Sequence, residues 1–113
     1  MAQRFLRAWK KLMDAEYQLA VGEGDVRQRL RRAYTILRRL QADELSAESR
    51  EEWRAILSEM TRLGPERLRD GTVLNTAIDD TMSRIRNTTG RKIAERIYRL
   101  YAEFKWMESR NRY

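Results

Sequence analysis

The sequence of 113 residues contains no cysteine and no histidine. Without cysteine the chain forms no disulfide, no thiolate zinc site and no thiol nucleophile. Without histidine it lacks the residue that most catalytic triads, metal sites and general bases use. The adjacent carboxylates Asp79 and Asp80 would point about 100° apart on a helix, so they do not clamp one metal ion. We therefore predict no catalytic residue, no metal site and no cofactor, in a protein that is not an enzyme.

Long apolar runs, proline and glycine are also scarce. No run approaches the roughly 20 apolar residues that cross a bilayer, and charges interrupt the N-terminal stretch too often for a secretory signal. These features predict no membrane association and a cytoplasmic location. One proline, five glycines and an abundance of Leu, Arg, Glu and Ala favour helix. No alternating run of β-branched residues predicts a strand. The sequence therefore predicts an all-α fold.

Apolar periodicity predicts one helical domain, 1–113, built as a compact bundle of four to five mainly antiparallel helices. The predicted helices span about 3–21, 25–41, 47–63, 73–86 and 91–107. A kink or break is expected near Asn87-Gly90, where glycine and β-branched residues weaken helix propensity. A single helix over 73–107 would be about 50 Å long, too long for a compact monomer of this size. Such a continuous helix would instead predict a homodimer.

Several boundaries follow from local signals. Gly22-Glu23-Gly24 is a link so short that the second helix should return antiparallel to the first. Thr72 is the predicted N-cap of the fourth helix, after a charged loop at 65–71. The residues predicted to face the core share a helical period: they are Phe5, Leu6, Trp9, Leu12, Met13 and Tyr17 in the first helix, and Leu74, Ile78, Met82 and Ile85 in the fourth.

The segment from Asp25 to Leu40 carries six arginines around one apolar face. Asp25 is a good N-cap for this helix, because its carboxylate accepts the free N–H groups of the first turn. An antiparallel first helix would bring its own basic residues to the same end of the bundle. These two helices together predict one basic surface. Its residues are Arg4, Arg7, Lys11, Arg27, Arg31, Arg32, Arg38 and Arg39.

Several guanidinium groups on one helix can grip consecutive phosphates, and the net charge of +7 supports an anionic partner. We therefore expect an accessory protein that binds the backbone of DNA or RNA without reading bases, since no helix-turn-helix or RNP-like motif is present. A plain solvated face, partly neutralised by the acidic third helix, is the structural alternative. The alternative function is a protein-binding adaptor or inhibitor that docks its basic surface on an acidic protein.

Two smaller features complete the prediction. Thr88, Thr89, Arg91 and Lys92 lie at a predicted helix start, where hydroxyls, cations and free N–H groups could hold an anion, although a plain capped junction is the stronger interpretation. On the last helix, Trp106 lies opposite the apolar stripe and Tyr98 lies at its edge, although a single exposed aromatic residue is ordinary. Because aromatic residues dominate interface hot spots, they are predicted contacts for a protein partner.

Overall fold

The computed structural model describes the backbone of residues 3–111 and the side chains of residues 5–106. Over this range the chain is a mostly helical bundle, and the prediction of an all-α bundle of four to five helices is confirmed. The elements are α1 (Gln3–Val21), α2 (Val26–Leu37), a 3-10 turn (Ala42–Glu44), α3 (Ala47–Met60), β1 (Glu66–Arg67), β2 (Val73–Asn75), α4 (Ala77–Arg84) and α5 (Asn87–Asn111). None of the described helices is long and apolar enough to span a membrane.

The first two helices run antiparallel, as the short link between them requires. Near that link, the Arg29 guanidinium donates to the Leu19 carbonyl oxygen at 2.8 Å. At the opposite end, Lys11 Nζ donates to the Arg39 carbonyl oxygen at 3.1 Å. Gly24 has a φ of +89°, a conformation that side chains with a Cβ rarely adopt, and it turns the chain into α2.

The inward face of α1 differs from the predicted one. Its fully buried residues include two alanines, Ala8 and Ala15, which let α2 lie close. By contrast, Leu6, Met13 and Tyr17 are exposed, so their predicted place in the core is wrong. The apolar arc of α1 is wider than the surface that α2 and α5 cover, and one edge of it therefore faces solvent.

The bundle core is formed by one apolar face from each helix. From α3 it includes Trp53, whose indole N–H donates to the Leu37 carbonyl oxygen at 2.9 Å. Ser46 caps this helix through the Ser49 N–H. From α5, Tyr101 stacks on Trp9 with ring centroids 5.4 Å apart. The remaining buried apolar residues of α3, α4 and α5 are Ile56, Met60, Met82, Ile93, Ile97, Leu100 and Phe104.

The predicted break between the last two helices is present, at Ile85 and Arg86. Ile85 adopts an extended conformation (φ −76°, ψ 156°) and its side chain is buried. Helix α5 already begins at Asn87, so the predicted start at residue 91 is wrong. Gly90 lies inside α5, where a Cβ would come within 2.9 Å of Val26 Cγ1. This glycine permits close contact between α5 and α2 rather than ending a helix.

The segment between α3 and α4 is a small β-hairpin, and two predictions fail there. Glu66 pairs with Asn75 across the antiparallel strands, where we predicted a loop and the start of a helix. Thr76, not Thr72, caps α4 by accepting from the Asp79 N–H. Leu74, predicted to face the core, is exposed on β2.

The hairpin is explained by a local turn signal in the sequence. Asp70-Gly71 is a favoured turn pair, because Gly71 adopts a φ of +92° without strain. The Asp70 carboxylate accepts hydrogen bonds from the Thr72 hydroxyl and from the Thr72 backbone N–H, and these bonds lower the pKa of Asp70. Leu68 and Thr72 close the turn with a 2.8 Å backbone hydrogen bond.

Candidate nucleic-acid interface

Helix α2 begins with a reciprocal cap that fixes where its arginines start. The Asp25 carboxylate accepts the N–H groups of Arg27 and Gln28, and the Gln28 side-chain oxygen accepts the Asp25 N–H. These bonds and the Arg27 guanidinium lower the pKa of Asp25, with the Gln28 N–H as the largest cause. From this start the helical period buries Val26 and Leu30 and leaves the arginines on the flanks and outer side.

Two of the predicted site residues are held against the neighbouring helix α4. Arg27 donates to the Asp25 carboxylate at 3.0 Å and to the Ile85 carbonyl oxygen at 3.2 Å, at the break between α4 and α5. Arg31 Nε lies 3.4 Å from Asp79 Oδ1. Both arginines therefore join α2 to α4 as well as adding positive charge. Their partners come from Asp25 and α4, and the acidic residues of α3 do not supply them.

Two further arginines of α2 are tied to the end of α1 and to the link that follows it. Arg32 donates to the Glu23 carbonyl oxygen. Arg29, which we did not predict as a site residue, donates to the Leu19 carbonyl oxygen. Backbone carbonyls carry no full charge, so these contacts position the guanidinium groups without neutralising them.

Helix α2 ends at Leu37 and not at the predicted residue 41, and the least engaged cations lie in the turn just after it. Arg38 and Arg39 are exposed, and neither side chain has an ion pair among the described residues. Arg38 is the C-cap of α2 and lies about 10 Å beyond Arg31 along the helix axis, whereas Arg39 lies in the turn that follows. The C-terminal end of a helix dipole also favours cations at this position.

The basic residues of α1 contribute unequally to this end of the bundle. Lys11 lies beside α2, with its Nζ 3.1 Å from the Arg39 carbonyl oxygen. It also pairs with Glu44 at 3.2 Å, a buried carboxylate whose role the sequence did not reveal. Arg7 is exposed. The side chain of Arg4 lies outside the described residues. Lys11 and Arg39 are thus brought together, while Arg27 and Arg31 lie along the α4 side.

The second predicted anion site forms the first turns of α5. Thr88, Arg91 and Lys92 are exposed and share one face of the helix by their i, i+3 and i+4 spacing. Thr89 is half-buried, so it is separated from that face. The Gly90 N–H bonds to the Arg86 carbonyl oxygen, as expected inside a helix. Anion binding at this site stays a prediction.

The two aromatic residues predicted as protein contacts are both accessible. Tyr98 is 53% exposed and Trp106 is 60% exposed. The Tyr98 ring lies 6.5 Å from that of Tyr101, beside the stack that joins α1 to α5. A protein interface at these residues also stays a prediction.

The carboxylates are dispersed over several ion pairs. Asp79 pairs with Arg31, whereas the adjacent and buried Asp80 pairs with Arg84 at 3.0 Å. Across the side chains of residues 5–106, no group of three or more potential metal ligands comes together. Comparisons of the chain with protein-family models, with curated proteins and with solved structures found no match.

Proposed function

We propose that this protein is a non-catalytic accessory protein that binds nucleic-acid phosphates through the outer surface of α2. The observation that carries the proposal is the pair Arg38 and Arg39, both exposed and free of ion pairs among the described residues. Arg31 and Arg32 precede them on α2, and Lys11 adjoins from α1. In the proposed complex, guanidinium groups bind phosphate oxygens bidentately and displace counterions.

Binding of this kind depends on charge and spacing and carries little base specificity. The test is fluorescence anisotropy of a short labelled duplex between about 50 and 200 mM salt. If about four phosphates are contacted, the slope of log affinity against log salt should be about −4. A labelled RNA hairpin is measured in parallel, so that the affinities for DNA and RNA are compared directly.

A matched pair of variants separates a defined surface from overall charge. Arg38→Glu with Arg39→Glu should abolish measurable duplex binding and leave the helical circular dichroism unchanged. The control, Arg54→Glu with Arg69→Glu, makes the same change in net charge at two other exposed positions. Equal loss of affinity in both double variants would contradict a site on α2.

The second candidate is an adaptor that docks this basic surface on an acidic protein. The exposed side chains Leu6, Met13 and Tyr17 on α1 favour it, because protein interfaces combine arginine with accessible apolar residues. A protein partner bound in this way should stay bound when duplex DNA is added, whereas duplex DNA would saturate a nucleic-acid site. Light scattering after size exclusion tests the homodimer, which the exposed Tyr17 also allows.

A further inference from the structure

An open concavity lies where the link between α1 and α2 meets the first turns of α2. Its volume is about 440 Å³, and it is lined by Glu23, Gly24, Gln28, Arg31 and Arg32. We call it the linker concavity. A smaller neighbour of about 200 Å³ shares Gln28 and Arg31 and extends toward α4. Sites for small ligands commonly have volumes of about 300 to 1,000 Å³, so the linker concavity has room for a phosphorylated group.

Hydrogen-bond donors dominate this concavity. Gln28 precedes Arg31 and Arg32 by three and four residues, a spacing that places all three on one side of the helix. The Gln28 side-chain oxygen is already used, since it accepts the Asp25 N–H at 3.0 Å. The cap therefore leaves the NH₂ group of Gln28 as the part available to a ligand.

Arg31 is held only by long contacts. Its Nη2 lies 3.4 Å from the Asp79 carbonyl oxygen, and its buried Nε forms an ion pair with Asp79 Oδ1 at 3.4 Å but makes no hydrogen bond. Charge-assisted bonds from guanidinium to phosphate are typically about 2.7 to 2.9 Å long. A phosphoryl oxygen would therefore satisfy this guanidinium better than Asp79 does.

Two negative groups limit the affinity of this site. The exposed carboxylate of Glu23 also lines the concavity, and Asp79 faces Arg31. Asp25 is occupied by the helix cap and by Arg27. A ligand has to compete with these groups, which favours a dianionic phosphoryl group over a singly charged ion.

We propose that the linker concavity binds one phosphoryl group through Arg31, Arg32 and the Gln28 amide. That the bound group comes from a nucleic acid rests on the proposed function. Binding of small anions tests the site independently of that function. A phosphorylated small molecule offers the same chemistry. Three probes distinguish the sources. A 5′-phosphorylated oligonucleotide represents a terminal phosphate, its 5′-hydroxyl form represents a backbone phosphate, and pyrophosphate represents a free ligand.

The direct test is NMR titration of the full chain with pyrophosphate at constant ionic strength. The backbone signals of Gly24, Gln28 and Arg31 and the side-chain Nε signals of Arg31 and Arg32 should shift together and saturate. Gln28→Glu is the main variant: it keeps an acceptor for the Asp25 N–H but replaces the NH₂ donor with a negative charge. It should weaken pyrophosphate binding by about tenfold or more.

Arg31→Lys is the second variant, because it keeps the charge and removes the planar fork. It should also weaken pyrophosphate binding, whereas Arg54→Lys, at an exposed position on α3, should leave it unchanged. Unaltered binding in Gln28→Glu, or equal shifts at the control positions Arg54 and Arg69, would overturn the proposal. If the unaltered protein binds duplex DNA but shows no saturable pyrophosphate binding, the concavity alone is refuted. Duplex binding that is insensitive to Arg38→Glu with Arg39→Glu refutes the proposed function alone.

Discussion

The Lys11 ammonium lies 3.2 Å from the Glu44 carboxylate, which joins the middle of α1 to the 3-10 turn after α2. The Glu44 side chain is only 1% exposed, and the same oxygen, Oε1, accepts the Gln41 N–H at 2.8 Å. Its second oxygen, Oε2, has no hydrogen-bond partner. Lys11 therefore supplies most of the compensation for this buried negative charge.

Replacing Lys11 with methionine should destabilise the protein by about 2 to 3 kcal/mol, because a buried charge loses its partner. The free energy of unfolding in urea is the measurement. In Lys11→Met with Glu44→Gln the buried charge is gone and an acceptor for Gln41 remains, so more than half of the loss should return. A double variant as unstable as Lys11→Met alone would show that the ion pair is not the cause.

Gly90→Ala should destabilise the protein despite the better helix propensity of alanine. The gain in propensity is about 1 kcal/mol, whereas crowding of Val26 at 2.9 Å should cost about 1 to 3 kcal/mol. Thermal unfolding of Gly90→Ala, Val26→Ala and the double variant forms a cycle. We expect the glycine substitution to be less harmful when Val26 is already alanine. A Gly90→Ala protein that is more stable than the parent would rule out the close contact.

Burial raises the pKa of Glu16, and its Oε2 has no hydrogen-bond partner. The charged form is therefore less favourable in the folded chain than in the unfolded chain. Stability associated with this group should be lost as the pH rises from the unfolded pKa through the raised folded pKa. Glu16→Gln should thus raise the melting temperature at pH 7 and give no gain below the unfolded pKa. Melting curves from acid to neutral pH test this, and a gain that is independent of pH would contradict it.

Trp53→Phe isolates the hydrogen bond between the indole N–H and the Leu37 carbonyl oxygen. Phenylalanine keeps most of the apolar contact but removes one of two donors to the Leu37 carbonyl oxygen, which still accepts the Leu40 N–H at 3.1 Å, so the cost should be about 0.5 to 1.5 kcal/mol. Urea unfolding, followed by circular dichroism, gives the value. Trp9→Phe is a useful comparison, because no hydrogen bond from the Trp9 indole is described and its ring stacks on Tyr101. Equal losses in both variants would assign the effect to ring size.

The limits of α1, the cap at Asp25 and the antiparallel return through Gly22-Glu23-Gly24 were all predictable from the sequence. Each depends on groups within a few residues of each other, such as the Asp25 carboxylate and the N–H groups of Arg27 and Gln28. The hairpin was also signalled locally by Asp70-Gly71. The helical spacing of Leu74, Ile78 and Met82 instead predicts that a helix begins in this segment.

The sequence by itself determined the helical class, the basic charge and the arginines of α2, because composition and short-range periodicity set these properties. Only the tertiary structure decided that Arg31 lies against Asp79, that Lys11 lies against Glu44 and that Tyr17 faces solvent. These residues meet, or fail to meet, other segments dozens of positions away. Helical period restricts the direction of a side chain, but the neighbouring helix determines whether water, a carboxylate or the core lies there.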